Sequence, residues 1–312
     1  MSKKIIDIYH DDTITTYDEV CEATYFIILK GSQGMHMVDD KCKARVEAFE
    51  KHGHPYWIYV FLDKGRELEQ TKRLVELYKD VIGKYFIGYC IDIEEENSQS
   101  GCLEALDYLL ELPHKAMFYF AWDSVRLYPR LISRRSDQCA FWECRYGDSA
   151  GNHKGTDRSD RYPFHSFADL CQYTEYGHCK GIEGYVDLNR ISGHGKDLEW
   201  FMTPMGEETS DDSSHDSSDD GEREPYSGTL PALPPRGYYM LGDGKTQYNN
   251  YSTQIKRLQE FLNWALDRGL TVDGIIGRET REAIIDFEIM KGLTPDGFFG
   301  EKCLKAARKM KK

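Results

Sequence analysis

Carboxylates are the groups in this chain whose type and spacing most directly suggest chemistry. The stretch 86–97, F-I-G-Y-C-I-D-I-E-E-E-N, is apolar at first and ends in Asp92, Glu94, Glu95 and Glu96. Alternate side chains of a strand share a face, so Asp92 and Glu94 point one way while Ile91 and Ile93 point the other. Two carboxylates held side by side repel, and repulsion with partial burial raises the pKa of one of them. A proton retained near neutral pH is what a general acid needs. Asp7 is a third candidate: it interrupts the apolar run K-I-I-D-I-Y (4–9), where a charge is costly unless paired or used. Asp187, in G-Y-V-D-L-N (184–189), is a fourth. The acidic run also reads as a strand entering a solvated loop, and composition does not separate the two readings. His10, His178 and His194 have no metal-ligand spacing, and the nine cysteines form no C-x-x-C pair. Buried free thiols are expected, with no metal and no other cofactor.

The elements that would position these acids alternate. Strands are expected at 4–9, 25–30, 56–62, 86–92, 116–120, 139–144, 169–174 and 184–188. Helices are expected at 40–52, 66–80 and 101–111, with another between the fifth and sixth strands. Strand and helix alternate through five units, after which short strands crowd together. The pattern is α/β: an irregular (β/α) TIM-like barrel lacking some C-terminal helices. Sites in such barrels lie at the C-terminal ends of the strands, where Asp92 and Glu94 fall.

Charge divides the chain. The net charge is -13, and residues 207–224 hold nine acidic side chains against one arginine. Residues 245–312 hold thirteen Lys/Arg against nine Asp/Glu. An acidic body argues against nucleic acid as a partner. The M-S-K-K-I-I-D start does not read as a signal peptide, and no apolar run is long enough for membrane insertion. Three domains are expected: a barrel at 1–203, an acidic then Pro-rich linker at 204–236, and a small all-α domain at 237–312. Within the last, L-T-V-D-G-I-I-G-R-E-T-R-E-A (270–283) recurs as L-T-P-D-G-F-F-G-E-K-C-L-K-A (293–306). Each copy is a D-G turn, a glycine-ended loop and a helix start.

Several stretches of the first domain, in order, resemble glycoside hydrolase family 25, the Chalaropsis-type lysozymes. They are I-I-D-I, F-I-I-L-K-G-S-Q-G, V-E-A-F-E-K-H-G, W-I-Y-V-F, I-D-I-E-E, F-Y-F-A-W-D and F-W-E-C-R-Y-G, then C-Q-Y-T-E-Y-G-H-C-K-G-I-E-G-Y-V-D-L-N-R. The resemblance implies an N-acetylmuramidase cutting the β-1,4 bond between N-acetylmuramic acid and N-acetylglucosamine. Glu94 would then be the general acid/base, with Asp92 orienting the substrate's own N-acetyl group or attacking directly. Asp7 and Asp187 match the family's other acids. Tyr59, Tyr119, Trp142, Gln172 and Tyr173 fall at positions resembling sugar contacts; for each aromatic, core packing is the competing reading. The chain departs from the family after Asp7, where I-Y-H-D-D-T replaces V-S-x-x-Q-G. It also departs at Gln33 and Cys171, where relatives have Glu and Trp.

The C-terminal repeat resembles the peptidoglycan-binding domain 1 family, a three-helix module, with Glu288 in place of a usual Gln. Together the two resemblances imply a cell-wall hydrolase with bacterial peptidoglycan as partner, a phage or prophage endolysin or an autolysin. It would be made in the cytoplasm and act at the wall after release. The competing readings are a non-catalytic wall-binding protein on a decayed barrel, and a hydrolase of another amino-sugar polymer such as chitin.

Overall fold

The computed structural model describes residues 3–146, 155–157, 159, 164–165, 167–193, 195–206, 225–245, 251–266, 268–293 and 295–311. The chain divides into two compact units, residues 1–124 with 134–210, and residues 125–133 with 211–312. The acidic run 207–224 lies outside the described residues.

Eight strands form the barrel of the first unit: β1 (Lys4–Ile8), β2 (Thr24–Gln33), β3 (Tyr56–Phe61), β4 (Phe86–Asp92), β5 (Lys115–Ala121), β6 (Cys139–Cys144), β7 (Leu170–Gly177) and β8 (Val186–Ile191). Neighbours from β1 through β7 pair in parallel. β8 runs antiparallel to both β7 and β1 and closes the sheet. The outer helices are α1 (Tyr17–Ala23), α2 (Cys42–His52), α3 (Glu67–Tyr78) and α4 (Gln99–Leu110). Between β5 and β6 the expected helix reduces to a 3-10 segment, Trp122–Arg126, and one turn at Pro129–Ile132. Pro129 holds Tyr128 out of the helical region, which prevents one continuous helix.

Period-2 alternation sorts the strands into an inner and an outer face. Inward residues form one buried cluster that includes Ile5, Ile28, Trp57, Tyr59, Met117 and Trp142. Gly88 makes room for it: a Cβ there would stand 1.9 Å from the Lys115 carbonyl oxygen and 2.8 Å from the Trp57 ring. The lower end is plugged by α5 (Leu198–Met202), whose Phe201 stacks on Phe26 at 5.6 Å and accepts a hydrogen bond from Trp57 Nε1 at 3.0 Å. With the bottom filled, the mouth at the C-terminal ends of the parallel strands is the open end.

The second unit has three helices, α6 (Ser252–Leu266), α7 (Arg278–Met290) and α8 (Glu301–Arg308), around an apolar core that includes Leu258, Phe261, Ile284, Phe287 and Phe299. A short ladder pairs Tyr238–Tyr239 with Phe299–Gly300. The two D-G turns share their local geometry. Gly274 and Gly297 both have left-handed backbones (φ 80° and 75°). Asp273 and Asp296 each accept the N–H two residues on, both at 2.8 Å. One expectation is revised: residues 225–236, read as the end of a tether, belong to this unit. Tyr226 packs against Phe261 at 5.3 Å, and Leu230 and Leu233 lie against the core.

Candidate active site

Two acid pairs meet at the barrel mouth. The first rises from β4. The strand ends at Asp92 rather than continuing to Glu94, so Glu94 sits two residues into an exposed loop while Asp92 stays buried. Asp92 Oδ1 is buried and has no hydrogen-bond partner. Burial, and then the Glu94 charge, hold the Asp92 carboxyl well above the usual range. The surrounding protein also raises Glu94, opposed by Lys30 and by a hydrogen bond from Tyr119. The two acids share protons as a unit. Accessibility separates them: Glu94 can reach a bound substrate, whereas Asp92 forms the floor.

The second pair comes from β1 and β8. Asp7 lies directly opposite Asp187 across the antiparallel ladder, and the two carboxyls hydrogen-bond. Because β8 runs backwards, Asp187 reaches the mouth from the start of its strand, not the end. Gln172 Nε2 donates to both Asp7 oxygens at 3.0 Å and to Asp187 at 3.4 Å. Asn189 Nδ2 donates to Asp7 at 2.7 Å. Burial raises both acids, but these donors pull Asp7 back, while the Asp7 charge pushes Asp187 further up. Asp187 therefore keeps the proton and Asp7 the charge. A cavity of about 330 Å³ adjoins this pair, lined by Asp7, Asp187, Tyr9, Asp12, Glu175 and Tyr185 among others. Its wall includes the segment after Asp7 that departs from the family pattern, braced by Arg45 on the Tyr9 and Asp12 carbonyls.

A chain of hydrogen bonds connects the pairs. Tyr119 and Tyr146 each donate to Gln172 Oε1 at 2.8 Å, and Trp142 Nε1 donates to Asn189 Oδ1 at 2.8 Å. Among the described residues, no group of His, Cys, Asp and Glu is arranged to hold a metal. This arrangement can hold one proton and one negative charge between an accessible and a buried acid beneath a reacting carbon.

Comparisons with known proteins agree with this geometry. The barrel matches the catalytic domain of an endolysin from a Listeria monocytogenes bacteriophage, at 20% identity and a TM-score of 0.53, covering 65% of this chain and 98% of that one. It also matches a glycosyl hydrolase 25 of Streptococcus pneumoniae, at 20% identity and a TM-score of 0.52, covering 64% and 91%. These likenesses establish the fold. Residues 251–307 match the family model described as "Putative peptidoglycan binding domain". Across both units, the chain is 25% identical to an autolytic lysozyme of Clostridium acetobutylicum, over 98% of this chain and 79% of that protein. Together these findings support a lysozyme similar to those of glycoside hydrolase family 25, carrying a peptidoglycan-binding module.

Within this lysozyme barrel the remaining candidate residues separate. Tyr119 is in register with Asp92, and its hydroxyl faces both Gln172 and Glu94. Tyr59 and Trp142 are buried beneath the acids, their rings edge-on at 6.4 Å. Gln172 is buried with both ends of its amide occupied, so it positions the acids and has no free atom for a sugar. Tyr173, next along β7, faces out of the barrel, and its hydroxyl is influenced by Asp157 and Arg190.

Sequence reading missed Lys30 and Asn189. Lys30, on the inner face of β2, is a half-buried cation whose field reaches Asp92 and Glu94. Both residues carried a legible signal. Lys30 lies two residues on from the inward Ile28, and Asn189 two on from Asp187.

Proposed function

We propose that this lysozyme is an N-acetylmuramidase cleaving the β-1,4 bond from N-acetylmuramic acid to N-acetylglucosamine in bacterial peptidoglycan. The observation that carries the reading is an accessible acid, Glu94, beside a buried one, Asp92, that has an unpartnered oxygen, at the open mouth of a barrel like those of family 25. Glu94 donates its proton to the leaving glycosidic oxygen and afterwards takes one from water. Asp92 steadies positive charge at the sugar carbon, by orienting the substrate's N-acetyl group or by direct attack. The Asp7–Asp187 pair fixes the opposite wall of the mouth.

The module keeps the barrel at the wall and raises its local concentration there. Autolysis and release of phage progeny use the same bond cleavage, and the autolytic and phage relatives fit either setting. Among the described residues, no helix is long and apolar enough to cross a membrane.

The test is to digest purified Gram-positive walls and reduce the new ends with borohydride. The reading requires muramitol at those ends with the wild-type chain and its loss with Glu94→Gln. Glucosaminitol would identify a different bond, and wall binding without new ends would identify a non-catalytic wall binder.

A further inference from the structure

The duplicated D-G turns supply an internal control inside the module. In the first copy the amide of Gln259 is fully used. Its Oε1 accepts Gly274 N–H at 2.9 Å, and its Nε2 donates to Asp273, to the Ile275 carbonyl and to Thr280 at 2.8, 3.0 and 3.1 Å. In the second copy Glu288 takes that place. Its Oε2 accepts Gly297 N–H at 2.8 Å, as Gln259 does for Gly274. Its other oxygen meets the Cys303 thiol, a weak donor, at 3.6 Å. The carboxyl also hydrogen-bonds Asp296, and burial followed by that neighbour pushes it up to about 8, so it holds a proton near neutral pH. One turn is thus closed by an amide with several partners, while the other is closed by a neutral carboxyl whose second oxygen is met by a weak thiol donor.

A cavity of about 390 Å³ opens beside the second turn, lined in part by Tyr238, Glu288, Leu293, Asp296, Phe298 and Lys302. Tyr238 and Phe298 are 37% and 43% exposed, with ring centroids 5.2 Å apart. Exposed aromatic faces beside a few convergent polar groups suit a pyranose, whose ring has an apolar face and a polar rim. Glu288 and Asp296 accept from hydroxyls or an acetamido N–H, and Lys302 donates.

We propose that this cavity is the module's binding site for an N-acetylated amino sugar of the glycan strand, with Phe298 and Tyr238 stacking on the ring and Glu288 accepting from it. The proposal rests on the wall-hydrolase reading for its choice of polymer, but its test reads binding alone.

Full-length protein carrying Glu94→Gln, so that the probe survives, is titrated calorimetrically with peptide-free glycan strands and, separately, with the free stem peptide. Phe298→Ala added to this background is expected to weaken glycan binding about tenfold. Glu288→Gln, which recreates the closed first copy and so keeps the turn folded, is expected to weaken it severalfold. Unchanged glycan affinity in both variants overturns the proposal, as does a loss confined to the stem peptide. Failure of the muramidase reading shows up elsewhere, as absent muramitol in wild-type digests.

Discussion

The two acid pairs at the barrel mouth share a chemistry and differ in how they are held. Asp7 and Asp187 are saturated: two amides donate to them, and tyrosines and a tryptophan fix those amides in turn. Asp92 is as buried as Asp7, yet one of its oxygens has no partner, and Glu94 stands free of the strand. A fully hydrogen-bonded buried pair is rigid, and each member's protonation is decided before substrate arrives. An unsatisfied acid beside an accessible one stays costly until a substrate supplies the missing partner. The contrast assigns structure and positioning to the β1–β8 side and proton transfer to the β4 side.

The largest effect that would sharpen this contrast is on turnover. Glu94→Gln should lower kcat about 10³-fold while wall binding is kept, and Asp92→Asn about 10²-fold, measured by reducing-end release. Loss of binding in proportion to activity would instead make Glu94 a binding residue. On the saturated side the main cost should be stability. Asp7→Ala leaves the Asn189 donor without its Asp7 acceptor and Gln172 Nε2 with only its 3.4 Å contact to Asp187, so denaturant melts should show a loss of about 2–3 kcal/mol.

A subtler effect concerns pH. Asp187 has its folded pKa raised to about 10, so the neutral acid favours the folded state. That contribution is complete below the unfolded carboxyl pKa of about 4 and is lost as pH rises through the folded value. Thermal unfolding between pH 5 and pH 10 should therefore show falling stability, and Asp187→Asn should flatten the fall; an unchanged slope would break the assignment of the proton to Asp187. The smallest effect lies in the module. Glu288, raised to about 8, makes the same kind of contribution over a narrower window ending near that pH, and Glu288→Gln should remove it.

Much of this was legible from residue patterns. Apolar runs marked all eight barrel strands, and the acids at their ends marked the mouth. Strand direction was not legible, because a period of two reads the same both ways; only the pairing shows that β8 is antiparallel. Tyr173 was grouped with Gln172 although neighbouring residues on a strand face opposite sides. The helix after β5 gave way to Pro129. Residues 225–236 read as a tether because prolines dominate them, while the packing of Tyr226, Leu230 and Leu233 depends on a partner surface formed by distant helices. Lys30 and Asn189 were visible in alternation with recognised positions, but their roles depend on what stands across the barrel.

The most direct test of the central claim is the pH dependence of kcat/KM on a short soluble peptidoglycan fragment, measured for wild type and Asp92→Asn. The account predicts an alkaline limb in the wild type well above the ordinary carboxyl range, set by the Asp92–Glu94 pair, and its movement to lower pH in the variant's residual activity. A limb at the ordinary carboxyl value, or one that does not move when Asp92 is neutralised, would contradict it.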